Sequence, residues 1–300
     1  MTTSEILMLA VDQRPWLTKA LYGHGGEATP GERSAIAAGK HAVLEGLLEA
    51  RRRSGSRTTG RAALLVDEKL GPGVAERARA EGVILSMPVE RGGMEEYEDE
   101  PDDLPAWLNH HKPDLTKVLV RYNPDQPPDS KERQLTRLAA TAAAAKDAGT
   151  QFLFELLVPP MPHQIEATGG DLDAFAEGQR PKLIQQAMGE IASRVHVDLW
   201  KLEHLGSEED YRAAVELAAG HEAGCILLGA GAPSATVNEW LRRASRSGFS
   251  GFAIGRTIWW EAFQDLLHGR IEKDRAADLI AQNYLGFVDV FQRDRQKVGG

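Results

Sequence analysis

Eight short runs of branched and leucine-type residues, each closed by polar, glycine or proline residues, constrain the fold of this chain more than anything else in it. They span residues 6–12, 62–68, 82–88, 116–122, 151–158, 197–205, 224–229 and 251–256. Runs such as AALLV and GCILL are apolar almost throughout. That suits parallel strands covered on both faces, whereas half-solvated antiparallel strands alternate more cleanly. The segments between them carry helix signals of their own. Pro30 suits a first helical turn, and within residues 32–53 Ile36, Ala37, Val43, Leu44, Leu47 and Leu48 fall at helical spacings. Ser207-Glu208-Glu209-Asp210 resembles a capping box, with Asp in place of Glu or Gln, ahead of a helix over residues 211–219. Residues 130–148 and 234–246 read the same way. Strand then helix, repeated along the chain, predicts an α/β architecture with parallel strands.

Eight repeats favour closure into a (β/α)8 TIM barrel. An open dinucleotide-binding sheet would show G-x-G-x-x-G in its first strand-to-helix connection, and this chain has none there. No linker-like stretch interrupts the pattern, so residues 1–300 are expected to form a single domain. Two connections depart from the minimal unit. The acidic stretch 95–103 (EEYEDEPDD) reads as a solvated loop, and the Pro/Gly-rich segment 159–170 reads equally as an active-site lid or an inert excursion. A further amphipathic helix over residues 271–291 is expected to cover the barrel or to meet another subunit.

Composition removes several classes of function. With 35 Lys+Arg against 44 Asp+Glu, the net charge of −9 argues against nucleic acid as the main partner, because phosphate backbones are bound by clustered cations. A single cysteine, Cys225, excludes an internal disulfide framework; it sits in an apolar strand and reads as a core residue. No basic leader and no apolar run of about 18 residues is present, so neither export nor a membrane partner is expected, and the cytoplasm is the expected compartment. His110, His111 and His163 lack metal-ligand spacing, so no metal and no cofactor is expected.

In a (β/α)8 barrel, chemistry sits at the C-terminal strand ends, so charges inside strand runs are the informative residues. In VDLWKLEHL, alternation places Val197, Leu199, Lys201 and Glu203 on one face and Trp200 and Leu202 on the other. The apolar pair fits the barrel-to-helix layer, which points Lys201 and Glu203 inward, about 6–7 Å apart along the strand. Desolvation and neighbouring cations lower a lysine pKa towards the range in which the free amine is a nucleophile, as Schiff-base chemistry requires. The alternative is a structural Lys201–Glu203 pair. Lys117 in TKVLVRY, Glu155 in FLFELLV and Asp12 closing LMLAVD bring the number of contributing strands to four. Convergent amines and carboxylates of this kind support proton transfer beside an iminium. Asp12 read singly is also a loop cap, and Lys117 a lysine snorkelling out of the barrel's N-terminal end. Arg121 shares the face of Lys117, as a substrate contact or an electrostatic neighbour.

The last two strands run into glycine, at Gly229 and Gly231 (LGAGA) and at Gly255 (IGRT). Glycine there lets backbone N–H groups approach an anion at the fold's recurrent phosphate site, and Arg256 adds a forked cationic donor. Trp259 and Trp260 read as helix-to-barrel packing, with Trp259 a candidate border of that site.

At LAVDQR, LLVDEKLG, TKVLVRYNPD, FLFELLVPP, DLWKLE and GFAIGRTIWW the sequence resembles the class I, Schiff-base aldolases related to tagatose 1,6-bisphosphate aldolase. It is closer still to the aldolase-like C-terminal domain of inositol-catabolic proteins, which acts on 2-deoxy-5-keto-D-gluconate 6-phosphate. The resemblance implies that Lys201 forms the imine and Glu155 transfers protons. It implies that Asp12, Gln13, Lys117 and Glu203 orient the substrate and that Arg256 binds phosphate. Arg121 stands where the tagatose-type pattern has tyrosine. The expected activity is cleavage or formation of a C–C bond in a phosphorylated keto sugar or keto sugar acid, releasing dihydroxyacetone phosphate and an aldehyde. The expected partner is thus a small phosphorylated sugar; by analogy with other barrels a homo-oligomer is also expected. A phosphosugar isomerase or epimerase using Glu155 and Asp12 as acid and base, and a non-catalytic sugar-phosphate sensor, are the alternatives.

Overall fold

The computed structural model describes residues 5–24 and 26–296. The first four residues, which the expectation about a leader includes, lie outside them. Eight parallel strands close in sequence order: β1 (Ile6–Ala10), β2 (Ala62–Leu65), β3 (Ile84–Pro88), β4 (Leu115–Arg121), β5 (Gln151–Leu157), β6 (Leu199–Leu202), β7 (Gly224–Leu228) and β8 (Gly251–Ile254). Ile6 pairs with Gly251 across the seam between β1 and β8. The helices are α1 (Pro15–Tyr22), α2 (Pro30–Ser54), α3 (Val74–Ala80), α4 (Leu104–His111), α5 (Pro128–Asp147), α6 (Pro162–Ala167), α7 (Leu172–Ala174), α8 (Arg180–Ala192), α9 (Glu208–Gly220), α10 (Ser234–Arg246), α11 (Arg256–Leu267) and α12 (Lys273–Gln296). The chain is a (β/α)8 TIM barrel, with all eight expected strands present.

Several strands end before the apolar runs do. Past the last ladder bond, side chains take over the backbone groups: the Val158 N–H donates to Glu203 Oε2 at 2.9 Å, and the Leu70 N–H to Asp67 Oδ2 at 2.7 Å. Helix starts follow local chemistry. Thr29 caps α2 with Glu32 as its reciprocal partner, and Ser207 caps α9 with Asp210, the substitution of Asp for Glu being accommodated. Helix α10 coincides with the segment read from sequence.

Strand alternation sorts the core into two layers. Trp200, Leu202, Phe154 and Leu64 join the large cluster between strands and helices, while Met8, Ala63, Leu65, Leu153, Leu199, Ile226 and Ala253 fill the barrel interior. Helix α12 covers the barrel rather than standing free. The Tyr284 hydroxyl donates to the Leu7 carbonyl at 2.8 Å, Ser245 Oγ on α10 to the Phe291 carbonyl at 2.6 Å, and Asn283 Nδ2 to the Ile258 carbonyl of α11 at 2.9 Å. Among the described residues, no helix is long and apolar enough to cross a membrane.

The seam leaves no room for a side chain at Gly251, where an added Cβ would lie 1.8 Å from the Ile6 carbonyl oxygen. Gly251→Ala is expected to cost at least about 2 kcal/mol in denaturant unfolding, since backbone rather than a side-chain tip must yield. Gly189→Ala, inside α8 with open space around it, is expected to gain about 0.5–1 kcal/mol from helix propensity.

Candidate active site

On the interior side of β5 and β6, Glu155 and Lys201 are direct register partners. Neighbouring parallel strands in register present such residues to the same face, so the carboxylate and the amine meet: Lys201 Nζ lies 2.9 Å from Glu155 Oε2. The same oxygen is 2.8 Å from Lys117 Nζ of β4. Lys117 also donates to Asp12 Oδ2 and to Glu90 Oε1, each at 2.9 Å. Five strands thus send one ionisable group each, from the ends of β1 and β3 and from within β4, β5 and β6, to the level just above the apolar barrel filling. Among the described residues, Lys117 is within ion-pair distance of three carboxyl groups and Lys201 of one.

Burial penalises every charge here, so the order of partners decides each protonation state. For Asp12 burial raises the pKa, but Lys117, Lys201 and Arg14 outweigh it, and the carboxyl lies well below its usual range. Glu155 is likewise raised by burial and carried below its ordinary value by Lys117 and Lys201. Lys117 is pulled down by burial and held firmly in the ammonium form by Asp12, Glu155 and Glu90. Glu90 goes the other way: burial prevails over Lys117 and Arg14, and its pKa is raised.

Above this cluster a cavity of about 460 Å³ opens at the C-terminal mouth. Its wall includes Asp12, Gln13, Lys117, Arg121, Glu155, Lys201, Glu203, Gly229, Gly231, Gly255 and Arg256, so the structure brings all the sequence-derived candidates to one surface. Two alternatives are corrected. Lys117 does not snorkel out of the N-terminal end, because it is completely buried among carboxylates. Lys201 does not pair with Glu203, whose Oε1 instead meets Arg180 Nη1 at 3.1 Å. Burial raises the Glu203 pKa, with Arg180 opposing. Arg121 Nη1 donates to the Met94 carbonyl at 3.2 Å.

Across the mouth, the turns after β7 and β8 meet. Gly231 has φ of 72°, and a Cβ on it would lie 2.6 Å from the Arg256 guanidinium carbon; one on Gly255 would lie 2.4 Å from the Ala10 carbonyl oxygen. Close approach to backbone requires glycine at 255, and the left-handed φ favours it at 231. Arg256 Nη2 donates to the Ala230 carbonyl at 2.8 Å, and its guanidinium lies 4.5 Å from the ring centroid of Trp16. Its forked donors therefore sit beside a glycine turn with no carboxylate on them among the described residues, an arrangement suited to a phosphate.

Sequence reasoning missed four residues here. Glu90 lies two positions past the end of β3, and parity with Ile84, Ser86 and Pro88 would have pointed it inward. Arg14 donates to the Glu90 carbonyl at 2.8 Å and to its Oε1 at 3.2 Å. Trp16, 37% exposed, lines the cavity beside Arg256, whereas Trp259 is buried with its indole N–H on the Ala10 carbonyl at 2.9 Å. Arg180 follows a π-helical turn over Phe175–Gln179 and reaches Glu203. The acidic stretch is only partly the solvated loop expected: Glu95, Glu96 and Glu98 stand in the cavity wall, and Tyr97 is buried. Segment 159–170 forms α6, pinned by Asn123 to the Pro159 carbonyl and Gln164 at 2.8 Å each, and none of it lines the cavity. Cys225 is a buried core residue, its thiol pushed up by burial. His163 pairs with Asp125 at 2.9 Å, and among the described residues no group of three His, Cys, Asp or Glu is arranged to hold a metal ion.

Comparison with known proteins follows the same lines. A family model described as "Uncharacterized protein conserved in bacteria (DUF2090)" matches residues 1–295. No curated protein sequence matches the chain. Among solved structures, the fructose-bisphosphate aldolase of Plasmodium falciparum, in complex with TRAP and a small-molecule inhibitor, superposes with a TM-score of 0.64 at 13% identity, covering 97% of this chain and 91% of that one. The YdjI aldolase of Escherichia coli K12 gives 0.59 at 12% identity, with 98% and 93% covered. A Schiff base-forming fructose-1,6-bisphosphate aldolase gives 0.55 at 13%, with 93% and 94% covered. At such identities the likeness establishes the shared barrel.

Removing the central cation tests the electrostatics. Lys117→Met leaves the Asp12 and Glu155 carboxylates buried without their shared cation and is expected to cost about 3–5 kcal/mol at pH 7. In the parent, Asp12 and Glu155 have lowered pKa values, so their stabilisation is present above the unfolded carboxyl range near about pH 4 and is lost as pH falls through the lower folded values. In the variant, the same groups become easier to protonate. The difference in unfolding free energy should therefore shrink between pH 7 and pH 4; a gap constant across that range would refute the assignment.

Proposed function

The chain belongs to the family of proteins conserved in bacteria described as DUF2090, and from that premise we propose that it is a class I aldolase acting through a Schiff base on Lys201. The observation carrying this reading is the single carboxylate oxygen of Glu155 held between Lys117 and Lys201 at 2.8 and 2.9 Å on the cavity floor. The barrel shared with Schiff-base aldolases supports it as a matter of fold.

The two amines have different roles. Lys117, tied to three carboxylates, stays an ammonium and keeps Glu155 ionised. Lys201, with one carboxylate partner among the described residues, is the amine free to attack a carbonyl. Its nitrogen adds to a substrate ketone, and loss of water leaves an iminium that serves as electron sink. Glu155 takes the proton of the hydroxyl on the β-carbon, the α,β carbon–carbon bond breaks, its electrons form the enamine, and an aldehyde departs. Protonation of the enamine and hydrolysis of the imine release the second product and restore the amine. Arg256 with the turns at Gly229, Gly231 and Gly255 holds a phosphate throughout. The substrate class is a phosphorylated keto sugar or keto sugar acid giving dihydroxyacetone phosphate. Its kinship, on the residues of LAVDQR, DLWKLE and GFAIGRTIWW, lies with tagatose-bisphosphate and deoxyketogluconate-phosphate aldolases.

Borohydride reduction in the presence of dihydroxyacetone phosphate should add the reduced adduct to the peptide containing Lys201, read by mass mapping. Lys201→Met should give no adduct and no cleavage. Glu155→Gln should keep the adduct but lose about 10²–10⁴-fold in turnover, as loss of a general base does. Cleavage by Lys201→Met at the parent rate would remove the proposal.

Arg256→Ala should raise KM for phosphorylated substrate by about tenfold or more. Its kcat should change far less, because a phosphate held equally before and during reaction contributes uniform binding.

A further inference from the structure

We propose that Glu90 is a further substrate contact of this site, an acid in the cavity wall that donates a hydrogen bond from Oε2 to a hydroxyl on the aldehyde half of the substrate. The inference rests on the aldolase reading and adds to it a residue and a preference for hydroxylated aldehydes.

The geometry separates the two oxygens of this carboxyl. Oε1 is occupied, by Lys117 Nζ at 2.9 Å and Arg14 Nη2 at 3.2 Å, and Arg14 further fixes the Glu90 backbone carbonyl at 2.8 Å. Oε2 is buried and has no hydrogen-bond partner, although Glu90 lines the cavity and is only 6% exposed. A buried polar atom without a partner is costly unless a ligand supplies one. The neighbouring Gln13 Oε1 is in the same condition at the same cavity.

Topology says which part of a substrate comes here. Closure in sequence order places β3 directly across the barrel from β7. A phosphate at the turns after β7 and β8 and a carbonyl carbon on Lys201 of β6 leave the far half of the molecule pointing towards β3. A sugar-derived aldehyde carries hydroxyls there.

The charges around Glu90 are Lys117 on β4, Asp12 and Arg14 after β1, and beyond Lys117 the carboxylate of Glu155 on β5; Arg14 is itself shared with Glu100 at 3.9 Å. Lys117 and Arg14 favour ionisation and Asp12 opposes it, but burial is the largest influence and the pKa is raised. That is consistent with an oxygen that carries a proton to give.

The test is condensation of dihydroxyacetone phosphate with D-glyceraldehyde and, separately, with propanal, which lacks the chain hydroxyls, by parent, Glu90→Gln and Glu90→Ala between pH 6 and pH 9. Because Glu90 also holds Lys117, Glu90→Ala should slow both reactions, but its loss in kcat/KM should be about tenfold larger for glyceraldehyde than for propanal, the worth of one hydrogen bond. Glu90→Gln, which keeps an N–H donor, should recover most of the glyceraldehyde-specific loss. Equal losses on both aldehydes, or Glu90→Gln as impaired as Glu90→Ala, would overturn the inference. The borohydride adduct at Lys201 should form in all three proteins. Its presence with either contrary result fails Glu90 alone, whereas its absence from the parent takes down the aldolase reading and this inference with it.

Discussion

One oxygen atom, Glu155 Oε2, organises the barrel mouth by lying within 3 Å of two lysine nitrogens. That oxygen bridges the two lysines, and Lys117 in turn is the shared partner of the Asp12, Glu90 and Glu155 carboxyl groups. The cluster therefore stands or falls as a unit, which is characteristic of buried ion networks. Lys117 takes up the electrostatic demand of three strands, and this leaves Lys201 with a light set of contacts. In the proposed Schiff-base reading, Lys117 fixed in the charged form is what keeps the adjacent Glu155 carboxylate ionised.

Strand geometry supplies the rest. Side chains of Lys201, Glu155 and Lys117 point inward because Leu199, Leu153 and Leu115 do, two residues earlier on the same strands. Those leucines fill the barrel below and form a dry floor; the charged layer begins where the filling stops. The second layer of Trp200, Phe154 and Leu202 holds the strands against the helices from outside. Apolar packing, not ion pairing, sets the positions, and the charges then find one another within them.

Much of this was legible in the sequence, for identifiable reasons. Parity within residues 197–205 is enough to turn Lys201 inward, because Trp200 and Leu202 would be wasted there. Parity does not say that Lys201 stands beside Glu155 rather than pairing with Glu203; that depends on register between strands, which the barrel's closure sets. Glu90 escaped notice because the apolar run stops at Pro88 and the following Arg-Gly-Gly reads as a turn. Arg180 lies 23 positions before Glu203, and the π-helical turn that aims it leaves no periodic trace. The acidic stretch misled because its carboxylates look solvated, while Tyr97 within it is anchored through its hydroxyl to Asp99 at 2.6 Å and Thr141 at 3.2 Å.

The seam between β1 and β8 has a consequence for how the chain acquires its chemistry during synthesis. Ile6 cannot meet Gly251 until nearly all of the polypeptide has emerged from the ribosome, and Tyr284 of α12 secures that edge only later still. Contacts of such sequence separation form late and slowly. Until then the barrel has an open edge, and the interior sides of β1 and β8 face water instead of each other. Asp12, which follows β1, and Arg256, which follows β8, are thus the last charged groups of the mouth to be fixed opposite their neighbours.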